Sequence, residues 1–227
     1  MEIIDVEKLQ WIPDPIHRER APEKILHKDA KTHAYSRLIK TSIGFSGEKM
    51  LVHDFDEFVY IIRGGMINKR NGNVYPIHSI GYFSLGMGHG PFETPVGDIN
   101  LEFRYYKHGG GASGKLDSHA MEFRSIDSLN WEGDKFYGIN AEVKSLHIDE
   151  DAGVYVRLVR TNPGFVMKGG TSPDCDRLIY IFEGGMIDTE TKEVCQADMA
   201  IYIEEGDHKC HLITPVGALF WEVGHYK

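Results

Sequence analysis

The stretch His53–Gly65, HDFDEFVYIIRGG, returns further along the chain as PDCDRLIYIFEGG, Pro173–Gly185. Both copies keep an apolar run closed by two glycines, but only the first carries a histidine and a glutamate, where the second has Pro173 and Arg177. Sliding the chain against itself by 120 positions extends the match in both directions. Residues 1–107 then lie on 121–227 without a gap: Trp11 meets Trp131, Lys24-x-Leu26-His27 meets Lys144-x-Leu146-His147, and TPVG (94–97) meets TPVG (214–217). About a third of the aligned positions are identical, which marks a tandem duplication. The glycine-rich HGGGASGKL (108–116) lies between the copies and reads as a linker. The expected organisation is a first domain 1–107, a linker 108–120 and a second domain 121–227.

Each copy reads as β structure. Short runs rich in β-branched and aromatic residues, among them YSRLIKT, EFVYIIRGGMI, IGYFSL and INLEFRYYK, are punctuated by Gly, Pro, Asn and Asp. Their spacing of roughly 8–12 residues is that of an antiparallel sandwich or barrel. Asn71-Gly72 accepts the positive φ of a tight hairpin turn. The segment DVEKLQW reads equally as a short helix or an edge segment, and helix content is expected to be low.

The bulk numbers exclude several classes of function. Of 227 residues, 25 are Lys or Arg and 34 Asp or Glu, a formal charge of −9, and no basic cluster could follow a phosphate backbone. Nucleic acid is therefore not an expected partner. No apolar run approaches membrane-spanning length, and MEIIDVEKLQW lacks the basic start and apolar stretch of a signal peptide. Cys175, Cys195 and Cys210 make no disulfide framework, so a reducing cytoplasm is expected.

Chemistry concentrates in the first copy, where His53-x3-Glu57-x6-Gly64 is followed by Gly86-x2-His89. Two imidazoles and a carboxylate from neighbouring hairpins suit a divalent metal while leaving positions open for water or substrate. At the positions of Leu51, His53, Glu57 and His89 the second copy has Thr171, Pro173, Arg177 and Lys209, and two cations there would repel a metal. A minor alternative makes Cys175, His208, Cys210 and His211 a second soft-metal site, although their spacing matches no closed zinc pattern. Asp54 and Asp56 recur as Asp174 and Asp176, which favours turn formation over ligation. Arg37 and Glu102 recur as Arg157 and Glu222 and read as a structural pair. Glu93, four residues after His89 and opposite Ile213, is a candidate acid/base. Lys49 shares strand parity with Leu51 and His53 and is a second candidate. His17, His33, His78 and His108 carry no spacing argument, and surface is their default.

This spacing resembles the cupin superfamily, whose first motif is G-x5-H-x-H-x(3–4)-E-x6-G and whose second is P-x-G-x2-H-x3-N. Whole copies resemble the cupin domain of ChrR-type anti-sigma factors: Trp131, Lys144-x-Leu146 and TNPGF in one, Trp11, Lys24-x-Leu26 and TSIGF in the other. The resemblance implies an all-β chain of two tandem cupin barrels (double-stranded β-helix, or jelly-roll), one active and one degenerate. It places His53, Glu57 and His89 on ligand positions, while Leu51, Ser84 and Glu93 depart from the motifs. It also implies one divalent ion per chain (Mn, Fe or Zn), a small enolisable dicarbonyl or hydroxyketone substrate, and a homodimer. The expected reaction is C–C bond cleavage by a metal-bound water, with Glu93 or Lys49 moving protons. The alternatives are an Fe(II)-dependent dioxygenase and a non-enzymatic ligand-binding sensor.

Overall fold

A computed structural model describes residues 1–15, 17–106, 123–168, 175–207 and 211–225. The expected linker, His108, and Thr171, Pro173, His208, Lys209 and Cys210 lie outside the described residues. Those described form strands and one 3-10 turn, Ile126–Ser128, as the alternating sequence requires. No helix among them is long and apolar enough to cross a membrane.

The chain divides into two compact units, and the division is not that of the repeat. Residues Leu9–Ser128 form one unit, here called the first barrel, and Met1–Lys8 with Leu129–Lys227 form the other, the second barrel. DVEKLQW begins after a short edge strand, Glu2–Ile4, which pairs antiparallel with Ala200–Ile203 of the second barrel. Its repeat equivalent Arg124–Ser125 pairs with Ser79–Phe83 of the first.

Within each barrel the long strand carrying the double glycine is central. In the first, Asp56–Asn68 pairs on one side with Asp98–Tyr105 and on the other with Ser79–Phe83. The sheet continues from Asp98–Tyr105 through Tyr35–Thr41 and Arg18–Lys28 to Ile12–Asp14. The second barrel repeats the order with Asp176–Asp188 between Ala218–His225 and Ala200–Ile203. The double glycine has a steric cause. Gly64 has φ +74°, and a Cβ there would lie 2.0 Å from the Gly97 carbonyl oxygen; Gly184 has φ +73° and meets Gly217 at 2.1 Å. The GG and TPVG signatures are therefore two sides of one close crossing. Gly184→Ala is expected to cost about 2–3 kcal/mol, read as a fall in the urea midpoint.

The recurring tryptophans and lysines also find a reason. The Lys24 ammonium lies 5.0 Å from the Trp11 ring centroid, and Lys144 lies 5.1 Å from that of Trp131.

The two interiors differ. That of the second barrel is filled by Val159, Phe165, Met167, Ile181, Leu212 and Phe220, all buried. In the first, small apolar clusters among the described residues gather around Ile39 and Phe45 and around Ile61, Met66 and Tyr75. Between them lies a cavity of about 90 Å³. Cys175 and Cys195 are buried free thiols.

Candidate metal centre

Three local features bring the expected ligands together. The short pairing Leu51–Val52 with Gly88–His89 sets His89 opposite Leu51 and beside His53. Glu57 opens the central strand one residue after Asp56, whose carboxylate accepts hydrogen bonds from the Tyr82 hydroxyl (2.5 Å) and the Leu85 amide (3.4 Å). Asp176 accepts from the Glu205 amide in the same way (2.7 Å), so this aspartate builds a turn in both copies, and Asp54 is exposed. Ring stacking fixes the imidazoles: His53 on Phe55 at 4.5 Å between centroids, His89 on Phe83 at 4.1 Å.

The Nε2 atoms of His53 and His89 are 2.6 Å apart, and Glu57 Oε2 is 3.5 Å from each. All three side chains are buried. A divalent ion about 2 Å from each atom fits such a triangle. Burial lowers both imidazoles, His89 to about 4, which leaves the neutral nitrogens that metal ligation requires. Burial pushes the Glu57 carboxyl up, but the Arg104 guanidinium and the two histidines outweigh it and bring it to about 2.

Arg104 is the residue that spacing did not reveal. Its Nε donates to Glu57 at 2.6 Å and its Nη2 to Glu102 at 3.2 Å, and it also donates to the Tyr35 hydroxyl. Glu102 in turn accepts from Arg37 (2.7 Å), which also binds Asp14 (2.8 Å) and Glu23. This buried cluster sets four carboxylates against two guanidiniums, leaving two negative charges for a divalent cation to neutralise.

The second barrel places a different set of charges at the equivalent positions. Gly224 replaces Arg104, and the Tyr155 ring fills the space a side chain there would need. Arg177, at the Glu57 position, lies 4.0 Å from Glu222 and donates to the Tyr137 hydroxyl at 3.0 Å. With Arg157 on Asp134 and Glu222, two guanidiniums face two carboxylates, and Val143 stands where Glu23 would add a third. The equivalent glutamates respond oppositely. Burial lifts Glu102 above its ordinary value against the pull of Arg37, whereas in Glu222 the arginines overcome burial and hold the carboxyl below it.

The cavity is walled by Phe45, Leu51, Phe83, Phe92 and Phe123, with the ligands, the arginines and a polar stripe from Asp98–Tyr105 inside. His17 lines it as well, against the expectation of a surface position, whereas His33 and His78 are exposed in turns. Neither expected acid/base lines the cavity. On the strand Phe92–Thr94 the cavity takes Phe92 and Thr94, and alternation turns Glu93 to the other side. Lys49 is exposed ahead of the strand, on a surface groove that adjoins the cavity through His17, Phe45 and Leu51. Asp98, Asn100 and Arg104, which the sequence reading did not single out, follow a period of two with Glu102. That signal was present in DINLEFRY read against ALFWEVGH.

No family model matches the sequence, and no curated protein does. Solved structures do match in fold along nearly all of the chain. A candidate dioxygenase from Nostoc punctiforme superposes with a TM-score of 0.76 at 15% identity, covering 100% of this chain and 86% of that one. Protein YlbA from E. coli gives 0.68 at 11% identity, covering 99% and 90%. A variant of Bacillus subtilis oxalate decarboxylase gives 0.61 at 12%, covering 100% and 78%. The fold is all-β, with two tandem cupin barrels (double-stranded β-helices) in one chain.

Proposed function

We propose that the first barrel binds one divalent metal ion through His53, Glu57 and His89 and acts on a small enolisable dicarbonyl or hydroxyketone. The observation that carries this reading is the buried two-histidine, one-carboxylate cluster, where among the described residues the hydrogen-bonded acids outnumber the arginines, whereas the equivalent groups of the second barrel pair evenly. A divalent ion held there would supply Lewis acidity toward two chelating oxygens of the substrate. The chain's own residues do the rest. Arg104 holds Glu57 ionised and in place, stacked phenylalanines fix the imidazoles, and the apolar walls limit bulk water. A cavity of about 90 Å³ favours a ligand of few heavy atoms.

The reaction we favour is hydrolytic C–C cleavage. Water's hydroxyl ends on the acyl carbon as a carboxylic acid, and the departing carbon keeps the bonding pair and takes a proton. The second reading is an Fe(II)-dependent dioxygenase, favoured by the same donor set with open positions. Glu93 does not line the cavity, and Lys49, on the groove that adjoins it at His17, Phe45 and Leu51, is the candidate for proton transfer.

Elemental analysis of the purified protein is expected to find about one Mn, Fe or Zn per chain. His53→Ala and His89→Ala should each remove it, together with turnover of simple 1,3-diketones. Losing a direct ligand weakens binding beyond the roughly 10–100-fold cost of losing a supporting partner. Turnover that persists without oxygen selects hydrolysis, and turnover that stops selects the dioxygenase. Metal with ligand binding but no turnover would make the protein a sensor. Unchanged metal content in both variants would defeat the proposal.

A further inference from the structure

The inward face of Asp98–Tyr105 carries two polar side chains that neither the metal cluster nor the barrel frame requires. Asp98 and Asn100 line the cavity, and each is 4% exposed. The frame around them recurs. Thr41 and Thr94 share a hydrogen bond of 2.7 Å, and Thr161 and Thr214 share one of 3.1 Å. The amide of residue 98 donates to Thr41 (3.2 Å) as that of Ala218 donates to Thr161 (3.0 Å). The second barrel makes this corner with Ala218 and Phe220, so the carboxylate and the carboxamide are additions to a frame that stands without them.

Their hydrogen bonds leave one group over. Asn100 Nδ2 donates to Asp98 Oδ2 at 3.1 Å, and the Thr41 hydroxyl donates to Asp98 Oδ1. With one N–H of Asn100 given to Asp98, its Oδ1 is buried and has no hydrogen-bond partner. A buried acceptor without a donor is costly, and the cost is recovered when a ligand supplies an O–H or N–H.

We propose that Asp98 and Asn100 form a recognition subsite for a hydrogen-bond donor, a hydroxyl or an amine, carried by the substrate. This rests on the metal-site reading and narrows its substrate class: a small dicarbonyl chelated at one end bears a donor group at the other. Phe220 fills the corresponding place in the second barrel, so an apolar residue is compatible with this strand.

The test compares pentane-2,4-dione with 1-hydroxypentane-2,4-dione and 1-aminopentane-2,4-dione by calorimetric titration of zinc-loaded wild-type protein and its Asn100→Leu variant. Zinc content is measured for both proteins. At least one donor-bearing probe is expected to bind wild-type protein about tenfold or more tighter than the parent. In Asn100→Leu the ratio is expected to fall to near one with zinc content unchanged. Which probe gains separates hydroxyl from amine recognition. Equal affinities in wild-type protein, or a preference that survives in Asn100→Leu, overturns the subsite while leaving the metal reading standing. Failure of zinc to bind the wild-type protein overturns both.

Discussion

Replacing Arg104 by alanine is expected to lower the stability of the metal-free protein by about 3–5 kcal/mol. The guanidinium is shared between Glu57 and Glu102 and lies 4.6 Å from the Phe55 centroid, so its removal leaves two buried carboxylates short of a partner and opens a void. Four acids would then face Arg37 alone. Added zinc should restore part of the loss, because the ion supplies charge beside Glu57. The second barrel indicates a fuller repair. Glu57→Arg with Arg104→Gly, His17→Tyr and Glu23→Val copies the arrangement of Arg177, Gly224, Tyr137 and Val143, with two guanidiniums against Asp14 and Glu102. This fourfold variant is expected to recover most of the stability and bind no metal. Urea denaturation with and without chelator, beside elemental analysis, reads both outcomes. The charge argument fails if Arg104→Ala alone is as stable as wild type, or if the fourfold variant is no better than the single one.

Asp98→Asn should do the opposite and stabilise the metal-free protein by about 3 kcal/mol at pH 8. Burial lifts the Asp98 carboxyl from an ordinary 3.8 to about 6, against the hydrogen bonds from Thr41 and Asn100. A carboxyl raised in the fold binds its proton more tightly there than in the unfolded chain. Its contribution is therefore fully present below about pH 3.8 and lost as the pH climbs through about 6, after which the ionised group is a net cost. Asparagine keeps the shape and removes that cost. The gap between variant and wild type should be near zero at pH 3.8, open across the interval to 6 and then stay constant. His53 and His89 run the other way. Their values are lowered by burial, so their contribution is present above about 6.5 and lost as the pH falls, for His89 toward about 4, in variant and wild type alike. Unfolding midpoints at pH 4 and pH 8 distinguish the two effects. A variant no more stable than wild type at pH 8 would mean that the carboxylate is well solvated.

Much of this was legible in the residues, for physical reasons that also set the limit. A 120-residue offset exposed the repeat because strand alternation and glycine crossings constrain both copies alike. The clustering of His53, Glu57 and His89 was legible because they sit near strand ends, where short spacings persist in space. Arg104 was not, because its partner Glu57 is 47 positions away and only strand pairing joins them. Glu93 failed because distance along a chain does not say which face of a strand a side chain takes. His17 was hidden in a turn, where no periodicity assigns a direction.

Phe123 carries a consequence for how this gene can change. It is encoded in the second repeat, yet it packs on Tyr75 at 4.6 Å between centroids and on Phe83 at 5.5 Å, and walls the first cavity. Ile3, its counterpart, packs in the second barrel's core. A deletion that discards the second repeat at the duplication boundary would also discard a wall of the first cavity, and the reverse deletion would strip the second barrel of its edge. Once the leading segments had been traded, neither repeat could be lost cleanly. Each barrel thus depends on a segment encoded in its neighbour's repeat.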